Sequence, residues 1–211
     1  MNNQLDLKAL EQKAWKSFFD DGLWDIYLGL LLALMGISGF ISHNTSLNED
    51  QATLVYLALM VTIMAAFWVG KRFIVAPRIG RVKFQAKKRR KISAVLFVSV
   101  IVGLIAWWFA ADMTSASPEQ RATLKELFPL IYALNALIVF GAIAYFTSFE
   151  RLYYIGILFA LPVPVDQWLY DSYGINLDYI AFIVPAAIII VIGIWYFVRF
   201  LKNYPPAPEM A

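Results

Sequence analysis

Six apolar runs, each near the length of a bilayer crossing, constrain this chain more than any motif in it. They fall at residues 23–41, 52–69, 93–111, 124–146, 152–169 and 179–201. A helix rising 1.5 Å per residue needs about 20 apolar residues to cross about 30 Å of hydrocarbon. With 61% of its 211 residues hydrophobic, against roughly 45–50% in soluble domains, the chain requires a non-aqueous solvent. The expected fold is all-α: a polytopic transmembrane helix bundle of about six spans, forming one integral membrane domain over residues 1–211. In the fifth run Pro162 and Pro164 remove backbone donors, so a broken or re-entrant helix is expected there.

Charge sets the orientation. In the six-span arrangement one side receives sixteen of the eighteen Lys and Arg residues, and the other receives only Arg121 and Lys125. The positive-inside rule then places both termini in the cytoplasm of a cell-membrane protein. Trp24, Trp68, Trp107, Trp108, Trp168 and Trp195 fall near span ends, where amphipathic rings suit the headgroup level.

Two segments lie outside the runs. In residues 1–21, Leu7, Leu10, Ala14, Trp15 and Phe18 recur at helical spacing, predicting an interfacial amphipathic helix; Asp20, Asp21 and Gly22 break it before the first span. Residues 71–91 form the expected basic cytoplasmic loop, with ten positive charges, no acid and interleaved apolar residues. Arg78, Arg81, Lys83, Lys87, Lys88, Arg89 and Arg90 are the expected contacts to anionic lipid, each juxtamembrane cation contributing about 1 kcal/mol at such a surface. Pro77 and Gly80 argue against one continuous helix here, while residues 85–91 can lead helically into the third span. The segment is too short for a nucleic-acid recognition fold, so nucleic acid is not an expected partner.

No catalytic set is visible, and the chain is read as non-enzymatic. There is no cysteine and one histidine, His43, which excludes thiolate chemistry and a multi-His metal cage; no cofactor or metal is expected. Gly36-Ile37-Ser38-Gly39 resembles the GxSG segment of rhomboid intramembrane proteases. Their histidine comes from a later span, whereas His43 follows on the same helix, about 140° around from Ser38, so the motif reads as packing. Gly29, Ala33 and Gly36 form a small-residue stripe that permits close helix approach, within the chain or between subunits. The intramembrane polar candidates are Asp25, near the cytoplasmic face and within reach of the basic segment, and Asn135, suited to an interhelical hydrogen bond.

Residues 21–30, DGLWDIYLGL, and 77–84, PRIGRVKF, resemble uncharacterised prokaryotic multi-pass membrane proteins, a resemblance that implies no activity. The architecture is similar to the substrate-binding subunits of energy-coupling-factor vitamin transporters. The leading expectation is a protein acting through helix and lipid contacts, as a homo-oligomer or with a membrane protein partner. The alternative is a small-molecule transport or substrate-binding subunit.

Overall fold

A computed structural model describes residues 19–79, 86–111, 117–174 and 178–205. Every described element is helical: α1 (Leu23–Asn44), α2 (Glu49–Val69), a π-helical segment (Gly70–Val75), α3 (Ala76–Ile79), α4 (Ala86–Ala111), α5 (Pro118–Thr147), α6 (Arg151–Ala160), α7 (Pro162–Tyr173) and α8 (Asp178–Asn203). Five helical stretches are long and apolar enough to cross a membrane: Leu23–Ile41, Asp50–Arg78, Glu126–Thr147, Arg151–Tyr173 and Tyr179–Asn203. Within α4 the apolar part described is Ile92–Ile105. The interfacial helix expected before residue 19 lies outside the described residues, as do Arg81 and Lys83.

The chain divides into two compact units, one of residues 1–84 and 182–211 and the other of residues 85–181. In the first, α1 is the central element. Leu32 and Leu34 are fully or almost fully buried, as are Ala186 and Ile189 of α8 and Val75 of the π segment. The turn into α2 is closed locally: Asn48 caps the helix by accepting from the Gln51 N–H, while the Gln51 side chain accepts from the Asn48 N–H. This reciprocal capping satisfies two otherwise orphaned donors. The most apolar window of α2 contains no buried residue.

The helical ladder does not stop at the second span. It continues past Val69 through the π segment and α3 to Ile79, so the first part of the basic segment is helix. Its sequence has no proline before Pro77, and the Ala76 N–H still donates to the Lys71 carbonyl, so the ladder first lacks a donor at Pro77.

In the second unit, α5 and α6 form a hairpin. Its corner is tight enough that Ser148 takes a left-handed φ of 56°. A Cβ at Gly156 of α6 would stand 2.6 Å from the Phe140 Cβ, so glycine is what lets α5 and α6 approach. Asn135 of α5 donates to the Ser99 hydroxyl of α4 at 3.4 Å, an interhelical bond of the kind its position suggested. The proline-rich run is helical throughout, interrupted only at Leu161, which keeps right-handed helical angles. Pro162 and Pro164 break the hydrogen-bond ladder without turning the chain back.

Glycines of the same composition therefore have opposite roles. Gly29→Ala is expected to lower the unfolding temperature in detergent, since its Cβ would lie 2.6 Å from Ile190, an overpacking cost of about 1–3 kcal/mol. Gly103→Ala, with nothing within 4 Å, is expected to be neutral or to stabilise by up to about 1 kcal/mol. Equal responses of the two variants would contradict this assignment.

Candidate functional site

The candidate site lies where α1 crosses α8, and glycines make the crossing possible. Gly22 has a left-handed φ of 78°, and a Cβ there would lie 2.6 Å from the Phe197 backbone nitrogen. A Cβ on Gly193 would lie 2.8 Å from the Ile26 nitrogen and 3.0 Å from the Asp25 Cβ. One turn further, Gly29 faces Ala186 and Ile190. The two backbones therefore touch along two turns of α1, a distance that only small residues permit.

Two carboxylates are buried at this crossing. Asp21 is 0% exposed and Asp25 is 1% exposed. Asp21 Oδ1 accepts from the Leu23 N–H at 3.0 Å, and both acids belong to the N-terminal end of α1, where the helix dipole favours negative charge. Lys71, at the start of the π segment, donates from Nζ to Asp21 Oδ2. Asp25 adds to the field on the same ammonium.

Aromatic rings complete the surround. Lys71 Nζ lies 5.6 Å from the Trp24 ring centre and 5.9 Å from that of Phe67. Phe67 packs on Trp24 at 4.7 Å and on Tyr27 at 4.5 Å, so the cation sits between a carboxylate and ring faces. A cation desolvated in this way gains from both kinds of partner.

The π segment determines which residue reaches which partner. In a regular α-helix, positions 71 and 78 would lie within about 20° of each other, because seven residues make nearly two turns. A π turn accommodates one extra residue and shifts the following helix by about 100°. Lys71 consequently points to the head of α1, while Arg78 points to the tail of α8, where its Nη1 donates to the carbonyls of Leu201 at 3.2 Å and Tyr204 at 2.7 Å. These are the carbonyls that a helix C-terminus leaves without intrahelical donors.

The residues singled out in the sequence are distributed as follows. Gly29 and Gly36 are buried and Ala33 is half-buried, with Gly29 against α8. Asp25 is in the crossing, and Asn135 belongs to the other unit. Arg78 binds the Leu201 carbonyl of α8 and that of Tyr204 just beyond it. Arg90 is exposed, and the side chains of Lys87, Lys88 and Arg89 lie outside the described residues. Sequence reasoning missed Gly193, although Ala186, Ile190 and Gly193 follow the same i, i+4, i+7 spacing as the stripe on α1. Trp24, read from the sequence as a ring near a span end, is half-buried beside Lys71.

A second feature lies toward the opposite end of α1. A cavity of about 540 Å³ between α1 and α2 is lined by Leu34, Ile37, Ile41 and Leu59, with the hydroxyl-bearing Ser38, Thr53 and Tyr56. Among the described residues no group of three or more His, Cys, Asp or Glu side chains is placed to hold a metal. No family model, curated protein or solved structure matches the chain.

Chemically, the described residues of the crossing form an ion-pair lock, in which Asp21 and Asp25 both act on the Lys71 ammonium. Asp21→Asn and Lys71→Met are each expected to cost about 3–5 kcal/mol, because each leaves a buried charge behind. The double variant is expected to cost clearly less than the sum, as measured by a double-mutant cycle of unfolding in detergent. Additive losses would mean that the two groups do not interact. Deleting Ile74, which removes the extra residue of the π segment, is expected to turn Arg78 off the α8 carbonyls and reduce stability more than Ile74→Ala does.

Proposed function

We propose that the chain is an integral membrane protein of six spans with both termini in the cytoplasm, and that it acts without catalysis, through helix and lipid contacts. In this reading it is a homo-oligomer or a subunit of a larger membrane assembly. The observation that carries the reading is the unburied apolar surface of α2: its most apolar window, with a mean hydropathy of 2.2, has no buried residue. Such a surface requires lipid or another apolar helix as its solvent. The charged side chains point the same way, since Asp21, Lys71 and Arg78 are engaged in holding helix ends rather than lining a route for ions.

The sixth crossing in this proposal is α4, whose 26 residues include the apolar stretch Ile92–Ile105. Orientation rests on the sixteen-to-two distribution of basic residues. The remaining cations of residues 71–91 then face an anionic leaflet and bind its lipids. The resemblance of residues 21–30 and 77–84 to uncharacterised prokaryotic multi-pass membrane proteins is consistent with this reading and adds no activity. A second reading, a small-molecule transport or substrate-binding subunit, is favoured by the cavity beside Ser38, Thr53 and Tyr56, whose volume falls in the range of ligand pockets.

Reporter fusions at Asn48, Gln85, Thr114 and Ala211 test the arrangement. Asn48 and Thr114 are expected outside, with Gln85 and Ala211 inside. An external Gln85, or an Ala211 on the side opposite to it, would overturn the proposal.

A further inference from the structure

Two tryptophan–arginine pairs recur in the first unit at the same spacing. Trp68 and Arg72 are four residues apart where α2 passes into the π segment, and Trp195 and Arg199 are four apart near the end of α8. The Arg72 guanidinium carbon lies 5.1 Å from the Trp68 ring centre and 5.9 Å from that of Phe73, and that of Arg199 lies 5.7 Å from the Trp195 ring. All of these side chains are exposed, including more than half the surface of each tryptophan. Neither arginine forms an ion pair among the described residues.

Both pairs stand at one level of the unit. Lys71, next to Arg72, reaches Asp21 at the head of α1, and the neighbouring Gly22 touches Gly193 and Phe197, which flank Trp195 on α8. Arg78 then ties the end of α3 to the last turn of α8. The ends of both helices are thus drawn to the same depth.

A ring face beside a guanidinium holds its plane and leaves N–H edges free to meet an oxyanion through a charge-assisted fork. On each helix the indole lies one turn, about 6 Å, on the apolar-span side of the arginine. A ligand that uses both groups has an oxyanion at one level and ester or acyl atoms at the next. A free phosphate would use only the first.

We propose that Trp68, Arg72 and Phe73 form one lipid headgroup site and Trp195 with Arg199 a second, each taking the phosphodiester of an anionic glycerophospholipid. The inference rests on the membrane reading above and assigns the bound headgroups to residues other than those of the 87–90 cluster. Lys71 and Arg78 do not take part, because their donors are turned to Asp21 and to the α8 carbonyls.

The test is native mass spectrometry of the full chain titrated with phosphatidylglycerol. Arg72→Gln and Arg199→Gln are each expected to weaken one of two tight lipid-binding steps about tenfold, the loss of a charge-assisted hydrogen bond, and the double variant to lose both. Arg72→Lys should weaken its step less than Gln does, with thermal unfolding unchanged because the side chain is exposed. Soluble glycerol phosphate is expected not to compete; competition at equal concentration would overturn the assignment to lipid. If the double variant retains lipid like the wild type while Lys87→Gln, Lys88→Gln, Arg89→Gln and Arg90→Gln together lose it, the two sites are wrong and the lipid reading of the basic segment stands. If neither set loses lipid, both fail.

Discussion

The contact of α1 with α8 backbone against backbone is the constraint on which the first unit depends. If these helices cross a membrane as proposed, there is no hydrophobic drive between them, and association rests on packing and polar contacts. Gly22, Gly29 and Gly193 bring the backbones close enough that Asp21 and Asp25 are buried at the crossing. Burying two carboxylates without a counter-charge would be prohibitive. The crossing therefore requires a base, and Lys71 supplies it from the end of the second apolar helix.

That requirement accounts for the π segment. The helix that delivers Lys71 to the head of α1 also delivers Arg78 to the tail of α8, and a regular α-helix would place both on one face. The wider turn separates them. Basic residues that read as a uniform electrostatic belt thus have different roles: Lys71 neutralises a buried acid, Arg78 caps a helix, and Arg72 lies outward against Trp68 and Phe73.

The long apolar helices were legible in the sequence, because bilayer thickness and helix rise fix the length of an apolar run independently of what it packs against. The small-residue stripe on α1 was visible for a similar reason, since glycine at helical spacing has few other uses in an apolar span. Its partner was harder to read: Ala186 and Gly193 keep the same spacing, but the bulky Ile190 between them interrupts the run of small residues that marks the stripe on α1. Nor does anything in KRFIV mark a π turn. Lys71 differs from the other bases of its segment only in being the first, and its aromatic neighbours Trp24 and Phe67 have the composition of an interfacial belt. What decides their role is the position of Asp21, fifty residues earlier in the chain.

The ion pair at the crossing is the central claim, and solid-state NMR of the protein in lipid bilayers tests it most directly. Rotational-echo double resonance between ¹⁵N at the Lys71 side chain and ¹³C at the Asp21 carboxylate measures their separation without altering either residue. The account predicts a separation of about 4 Å or less, that of a direct ion pair. A Lys71 ammonium dipolar-coupled to lipid ³¹P, with no measurable coupling to Asp21, would contradict it.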